Sequence, residues 1–140
     1  QRVKKAQVKV EGKTIGQIDQ GILAFVGIEK TDTQENVKRL LKKIVKYRIF
    51  SDAEDKMNLS LDDIKGGLLL VSQFTLVADT QKGLRPSFSS AANPRMSQEL
   101  YDYIINLAKE TNLNVQTGQF AADMKISLIN DGPVTFNLQC

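Results

Sequence analysis

Residues 66–76 decide the fold, and they read Gly66-Gly67-Leu68-Leu69-Leu70-Val71-Ser72-Gln73-Phe74-Thr75-Leu76. Two glycines break the chain, and an unbroken apolar run follows them. Such a short run is typical of a strand buried on both faces of a sheet. We predict a central strand over 68–76 whose second half turns polar. A similar run at 22–28 predicts a second strand of this kind.

The segments on either side supply shorter strands and two helices. Apolar residues recur with helical spacing over 34–47, where Asp32 or Thr33 can act as N-cap, and again from Pro94 to about residue 111. Shorter apolar or alternating runs predict strands at 3–10, 14–18, 115–117, 124–129 and 134–138. This order favours an α/β protein with a single domain over residues 1–140. Its architecture would be a barrel-like mixed β-sheet with two packed helices.

The residue counts exclude several classes of enzyme. The 140 residues include no histidine and one cysteine, Cys140. A Ser-His-Asp or Cys-His apparatus, a zinc site of His and Cys ligands, and an intrachain disulfide therefore cannot be built within this chain. We expect no metal and no other cofactor.

The opening of the chain and its hydropathy predict a cytoplasmic protein without a membrane partner. No apolar run approaches the ~20 residues of a membrane span, and no signal-peptide pattern opens the chain. The chain begins at Gln1 without a methionine and enters the first predicted strand almost at once. We therefore expect a few residues to precede it.

Basic residues are concentrated in one segment although the overall charge is small. Nineteen basic and sixteen acidic residues give a net charge of +3. A solvated helix face and a phosphate-binding surface for nucleic acid both explain this cluster, and the sequence leaves both open. The cluster consists of Lys38, Arg39, Lys42, Lys43, Lys46 and Arg48, and Lys4, Lys5, Lys82 and Arg85 could extend it.

Polar side chains close the predicted central strand at Ser72, Gln73 and Thr75. Alternation along a strand places Ser72 and Phe74 on one face and Gln73 and Thr75 on the other. A polar cluster at the end of an apolar strand often lines a pocket. Equally, the hydroxyl groups could serve only to satisfy backbone groups where the strand frays.

The Gly132-Pro133 dipeptide also has two interpretations. The first is a tight turn between strands. The second is a cis peptide bond, which occurs at about 5–6% of X-Pro bonds. Neighbouring carbonyl groups could then point the same way and receive an ammonium group, and glycine would let a ligand approach closely.

Three segments together resemble the D-aminoacyl-tRNA deacylase family, namely Gln1-Arg2-Val3, Ser72-Gln73-Phe74-Thr75-Leu76 and Asn130-Asp131-Gly132-Pro133-Val134-Thr135. The segments 47–52, 82–88 and 120–124 are also similar, so the resemblance covers essentially the whole chain. It implies a homodimer with a barrel-like α/β subunit. It also implies hydrolysis of the ester that joins a D-amino acid to the terminal adenosine of tRNA, and of mischarged glycyl-tRNA.

The resemblance further implies roles for particular residues. Gly132 and Pro133, joined by a cis bond, would enter the partner's active site, offer carbonyl groups to the substrate ammonium and clash with an L-substrate. Arg2 would brace this motif, and Phe120 and Met124 would line the adjacent pocket. The substrate-binding set is completed by Asn130. The implied catalytic set is Ser72, Gln73, Phe74 and Thr75.

Two mechanisms remain open at this point. Thr75 could attack the ester as a nucleophile, although a hydroxyl without a base is a poor one. Alternatively, the enzyme positions water, the ribose 2′-hydroxyl assists, and backbone N–H groups near residues 73–75 stabilise the oxyanion. We favour the second mechanism. A non-catalytic tRNA-binding module and a hydrolase of small esters are the alternative functions.

Overall fold

The computed structural model describes all residues, 1–140, and contains eight strands, three α-helices and one 3-10 turn. The helices are α1 (Gln34–Lys46), α2 (Leu61–Ile64) and α3 (Pro94–Lys109). Two short strands, β4 (Phe50–Ser51) and β5 (Met57–Leu59), form a separate ribbon. The main six-stranded sheet consists of β1 (Arg2–Val10), β2 (Lys13–Ile18), β3 (Gly21–Val26), β6 (Gly67–Ser72), β7 (Asn114–Thr117) and β8 (Lys125–Asn130).

The long strand β1 organises the sheet. It pairs antiparallel with β8, with β3 near Arg2, and with β2 from Ala6 onward. Strands β3, β6 and β7 run parallel to one another. β2 then packs back against β7, where Gly16 faces the backbone of Thr117. The sheet is therefore a nearly closed barrel of mixed strand direction, as the sequence predicted.

Strand β6 lies between two hydrophobic cores. Leu68 and Leu70 belong to a cluster of 18 buried residues that the sheet shares with α1 and α3. Leu69 and Val71 belong to a second cluster of seven buried residues that includes side chains of β1 and β3. All four side chains are at most 1% exposed. The strand is thus buried on both faces over this stretch, as its unbroken apolar run predicted.

Two paired glycines mark the start of β3 and β6. Gly21 lies beside Gly67, and a Cβ on Gly21 would overlap the carbonyl oxygen of Gly67. A Cβ on Gly67 would in turn lie 2.8 Å from the Cβ of Ile18. Backbone segments approach here more closely than any side chain allows.

Both long helices begin at hydrogen-bonded caps. The Thr33 Oγ1 accepts from the backbone N–H of Asn36, and the Thr33 N–H donates to the Asn36 Oδ1 at 2.9 Å. Of the two N-caps considered for α1, the structure has Thr33. α3 begins at Pro94 after Asn93, whose Oδ1 accepts from the N–H of Met96 at 2.9 Å. No helix of the structure is both long and apolar enough to cross a membrane.

The prediction that the central strand continues to residue 76 is wrong. β6 ends at Ser72, and Phe74–Val77 forms a 3-10 turn, hereafter the site turn. The Gln73 N–H donates to the Val26 carbonyl at 2.8 Å, and β3 ends at that residue. Beyond it no strand accepts further bonds, so the chain satisfies its backbone groups locally. Residues 72–75 therefore do not alternate between two faces.

The strand predicted at 134–138 is absent. Instead, the segment 134–140 lies beside α1: the Asn36 amide donates to the Cys140 carbonyl at 3.1 Å, and the Lys43 ammonium donates to that of Gln139 at 3.3 Å. The ring of Phe136 packs edge-on against Tyr47, 5.3 Å between centroids. The apolar alternation reflects packing of side chains, not pairing of strands.

The structure has a third helix where two were predicted. α2 begins after Ser60, whose Oγ accepts from the Asp63 N–H at 3.2 Å while the Ser60 N–H donates to Asp63 Oδ2 at 2.8 Å. This reciprocal cap has a sequence signature, a serine followed three residues later by an acid. The helix spans only four residues, too few for a periodic apolar pattern to reveal it.

Candidate functional site

The polar residues at the end of β6 form a compact, partly exposed turn. The Gln73 side-chain amide donates to Thr75 Oγ1 at 3.0 Å. Within the turn, the first backbone bond is the Leu76 N–H to the Gln73 carbonyl at 3.3 Å, and the Ala78 N–H follows to that of Thr75 at 3.2 Å. The first N–H groups of a helical turn have no intrahelical acceptor. The N–H groups of Phe74 and Thr75 are the first of this turn, so no carbonyl group within the turn accepts from them.

Gly27 allows the site turn to pack directly on the end of β3. A Cβ at Gly27 would lie 3.0 Å from Val77 Cγ1, 3.1 Å from the Leu76 Cβ and 3.3 Å from the Gln73 carbonyl oxygen. A side chain here would push the turn away from the sheet. Sequence analysis did not identify this residue, although a glycine within an apolar strand run is a recognised sign of close backbone approach.

Tyr101 of α3 supports the strand that leads into the turn. Its hydroxyl donates to the Leu70 carbonyl at 2.8 Å, and the same carbonyl accepts from the Gly118 N–H at 2.9 Å. Burial raises the pKa of Tyr101 to about 12. The phenol therefore stays protonated at neutral pH and cannot serve as a general base. Sequence analysis did not identify this residue either.

Phe120 and Met124 lie beside the same end of β6. The ring of Phe120 is 6.1 Å from that of Tyr101 between centroids. The sulfur of Met124 lies against Gly118, and its side chain packs on the cluster that contains Val71. Both side chains are half-buried. The structure therefore places the two predicted pocket residues near the site turn.

The Gly132–Pro133 peptide bond is cis, and both residues are exposed. The turn Asp131–Val134 around this bond is called the cis turn. Arg2 supports this turn from below: its Nε donates to the Asp131 carbonyl at 2.9 Å and its Nη1 to the Ile49 carbonyl at 2.7 Å. The Arg2 side chain is only 13% exposed. A single guanidinium thus connects the cis turn to the segment that follows α1.

Asn130 closes the other side of the same turn. Its Oδ1 accepts from the Val134 N–H at 3.1 Å, and its Nδ2 donates to Thr135 Oγ1 at 3.3 Å and to Gln1 Oε1 at 3.0 Å. The amide therefore bridges the turn from two residues before Gly132 to the two residues after Pro133. These bonds give Asn130 a role in shaping the turn, which the sequence analysis had not assigned to it.

The cis turn and the site turn are separate within one protomer. Arg2, which holds the cis turn, pairs with Ile22 near the start of β3, whereas Gln73 bonds to Val26 at its end. Four residues of extended strand separate these points by about 13 Å. Within a single chain the cis turn, with Arg2 and Asn130, is therefore separate from the predicted catalytic residues, whereas Phe120 and Met124 lie on the side of the site turn.

An open, mainly apolar groove of about 620 Å³ joins the two turns. Val134 and Thr135 line it beside the cis turn, Leu76 and Val77 line it beside the site turn, and β3, α1 and residues 136–140 form its walls. Leu76, which lines the groove, and Phe74 of the same turn are both more than half exposed. Such a surface is unusual for an isolated protomer because large apolar groups face water.

The chemical groups that these turns offer are mostly main-chain atoms. The cis turn offers exposed carbonyl groups, and the site turn offers N–H groups and the Thr75 hydroxyl. No group of three or more His, Cys, Asp or Glu side chains lies close enough to hold a metal ion. Carbonyl oxygens suit an ammonium ligand, and converging N–H groups suit a developing oxyanion.

Comparison with known proteins gives concordant matches. A family model described as D-Tyr-tRNA(Tyr) deacylase matches residues 1–139. A protein of Saccharophagus degradans (strain 2-40) named D-aminoacyl-tRNA deacylase is 62% identical over 138 residues, which cover 99% of this chain and 95% of that protein. A protein of the same name from Shewanella halifaxensis (strain HAW-EB4) is 57% identical over 139 residues, which cover 99% and 96%.

Solved structures give the same picture of the fold. One described as c-Myc DNA Unwinding Element Binding Protein superposes with a TM-score of 0.94 at 35% identity, covering 100% of this chain and 95% of that one. Another, described as a probable eukaryotic D-amino acid tRNA deacylase, has a TM-score of 0.79 at 16% identity and covers 94% and 92%. The second likeness concerns the fold alone.

Proposed function

Because the chain belongs to the D-Tyr-tRNA(Tyr) deacylase family, we propose that it hydrolyses the ester of D-aminoacyl-tRNA and releases the free D-amino acid and tRNA. The observation that supports this most is the family match over residues 1–139 in a chain that carries both turns. A non-catalytic tRNA-binding module is not favoured, since the similar proteins are named as deacylases. Because its substrate takes part in translation, we propose that the enzyme acts in the cytoplasm.

The cis turn would select the hand of the substrate. The exposed carbonyl groups of Gly132 and Pro133 would accept hydrogen bonds from the α-ammonium group and fix its position. With the ammonium and the ester carbon both fixed, an L side chain would point into the turn and a D side chain away from it. Rejection of the wrong hand through contact gives specificity. Glycine has no side chain to clash, so mischarged glycyl-tRNA would also be hydrolysed.

Hydrolysis would rest on the main chain of the site turn. The N–H groups of Phe74 and Thr75 would stabilise the oxyanion formed when water attacks the ester carbonyl. Thr75 already accepts a hydrogen bond from Gln73, and the chain has no histidine to remove its proton. The hydroxyl would therefore position the substrate, and the ribose 2′-hydroxyl would assist the attacking water.

A homodimer would bring the two turns together. Within one protomer the β3 residues beside Arg2 and Gln73, which hold the two turns, lie about 13 Å apart. The apolar groove between them and the exposed side chains of Phe74 and Leu76 in the site turn form a surface that a second copy could cover. In a twofold dimer the same patch meets itself. The cis turn of each protomer would then lie over the site turn of the other.

The direct test is deacylation of D-tyrosyl-tRNA and L-tyrosyl-tRNA by the purified protein treated with a chelator. We expect hydrolysis of the D-ester and a rate on the L-ester close to that of spontaneous hydrolysis. Equal rates on both esters would contradict chiral selection by the cis turn. Activity that returns only with added metal would contradict hydrolysis by main-chain groups alone.

A further inference from the structure

Residues 79–87 form a closed basic loop directly after the site turn. The Asp79 N–H donates to the Ser87 carbonyl at 2.7 Å, and the Ser87 N–H donates back to that of Asp79 at 3.0 Å. The Gln81 N–H donates to Asp79 Oδ1 at 2.9 Å, and the tip turns at Gly83 with φ +70°. Backbone bonds therefore fix the shape of this loop without any help from its longer side chains.

The base of the basic loop is attached to the site turn. The ring of Phe88 packs on that of Phe74, 5.0 Å between centroids. The Ser90 hydroxyl donates to the Val77 carbonyl at 2.8 Å, and the Lys30 ammonium donates to the Ser89 carbonyl at 3.1 Å. The loop is thus held in a defined position next to the residues proposed to carry the hydrolysis.

The tip of the basic loop is exposed, and its cations form no ion pair within the protomer. Leu84 is fully exposed, and Lys82 and Arg85 flank it. Neither cation takes part in an ion pair, and no acidic residue lies between positions 80 and 88. The six ion pairs of the chain use other cations. Positive charge is therefore left free beside the site turn.

We propose that the basic loop binds backbone phosphates of the acceptor strand, through Lys82 and Arg85, and so places the esterified 3′ end over the site turn. This rests on the proposed function, which supplies tRNA as the substrate. From Asp79 to the tip at Gly83 the chain spans at most about 14 Å, so the two cations stay close to any strand whose 3′ end lies at the site turn. Such contacts fix position without reading base sequence.

The test compares two substrates that differ in their phosphates. D-tyrosyl-tRNA contains the acceptor strand, whereas the D-tyrosyl ester of adenosine contains only the ester and its nucleoside. We expect Lys82→Ala/Arg85→Ala to lower kcat/KM for D-tyrosyl-tRNA by about tenfold. The same variant should change hydrolysis of the adenosine ester less than about twofold, because that substrate has no phosphate for Lys82 and Arg85 to contact.

A matched control removes the same charge elsewhere. Lys9 and Lys13 are exposed, have no ion pair and lie on the β1–β2 hairpin, which extends from the start of β3, away from the end that leads to the site turn. Lys9→Ala/Lys13→Ala should leave both rates unchanged. Binding of uncharged tRNA provides a second readout. The slope of log K against log salt is negative, and its magnitude should decrease by about 1.4 for the loop variant and stay unchanged for the control.

Four results would overturn the proposal. The first three are an unchanged salt slope and tRNA rate in the loop variant, an equal loss in the control variant, and an equal loss on both substrates. If Leu84→Ser turns a dimer into a monomer, the loop contacts a second copy of the chain and the proposal is also wrong. A wild-type protein that cleaves neither ester contradicts the proposed function instead, and tRNA binding then still decides the role of the loop.

Discussion

The role of the Thr75 hydroxyl distinguishes the two mechanisms, covalent attack and hydrolysis by a positioned water. Its Oγ1 accepts from the Gln73 amide at 3.0 Å, and the chain has no histidine to act as base. We expect Thr75→Ala to retain activity, with kcat/KM lowered by about tenfold or less, since one hydrogen bond is lost. Steady-state deacylation of D-tyrosyl-tRNA measures the effect. Complete loss of turnover in a folded variant would instead indicate covalent attack by Thr75.

Tyr101 gives a pH dependence with a definite sign. Its pKa is raised to about 12 in the fold, whereas an exposed tyrosine titrates near 10. Above pH 10 the unfolded state loses the proton first, so the stability that Tyr101 contributes is complete below pH 10 and is lost as pH rises toward 12. Urea unfolding of the wild type and Tyr101→Phe at pH 8 to 11 measures this. The wild type should be more stable at pH 8, and its advantage should shrink above pH 10. A constant difference would contradict the burial of this phenol.

Local sequence identified one half of the candidate site better than the other. The Gly132-Pro133 dipeptide and the polar residues after Val71 stand out because their residue types are unusual for a strand. Gly27 and Tyr101 do not stand out, because their roles depend on neighbours far along the chain. Tyr101 bonds to a carbonyl 31 residues away, and only the fold brings the two groups together.

At the scale of a single element, the outward face of α1 carries an excess of positive charge. Lys38, Arg39 and Lys42 are exposed and form no ion pair, and the only acid of the helix is Glu35. Lys38 and Lys42 are four residues apart, so their like charges destabilise the helix by about 0.2–0.5 kcal/mol. A solvated face gains nothing from this arrangement, whereas a surface for phosphates does.

Neutralising this face separates the two interpretations. We expect Lys38→Gln/Lys42→Gln to raise the melting temperature slightly, because the repulsion is removed. We also expect tRNA binding to weaken and the log–log salt slope to fall by about 1.4. Calorimetry and tRNA titrations at several salt concentrations measure both effects. A higher melting temperature with an unchanged slope would identify a solvated face.

Periodicity predicted the long elements and failed where an element depends on its neighbour. The apolar spacing of α1 and α3 and the unbroken run of β6 correspond to buried faces in the structure. The site turn exists because β3 ends at Val26 and leaves Gln73 as the last paired residue. Residues 134–138 alternate like a strand, yet they pack on α1. Neither outcome is encoded in the local pattern.

At the scale of the whole molecule, the proposed homodimer predicts that each site combines turns from two protomers. Phe74→Pro removes one N–H group of the site turn, which typically costs about 10²–10³ in rate at an oxyanion site. Gly132→Ala distorts the cis turn, because its Cβ would lie 2.6 Å from Val134 Cγ2. Each variant alone should be nearly inactive. A dimer with one chain of each kind contains one site in which both turns are intact.

Mixing these two variants should therefore restore activity. Random exchange of equal amounts gives about half mixed dimers with one working site each, so we expect about a quarter of wild-type activity. Deacylation before and after refolding the mixture measures the recovery, and the refolded wild type is the control. Mixed dimers that form without regaining activity would show that each protomer builds its site from its own two turns.

Strand β6 has a further consequence for how reliably the site is assembled. Because Leu68, Leu69, Leu70 and Val71 are all apolar, a slip of one residue against β3 would still bury every side chain, and hydrophobicity alone cannot prevent it. Gly67 can prevent it, since only glycine fits against Gly21 and Ile18. A slipped strand would carry the backbone of the site turn about 3.3 Å along the barrel. Gly67 thus sets the register of β6 from the end of the strand that is farthest from the site turn.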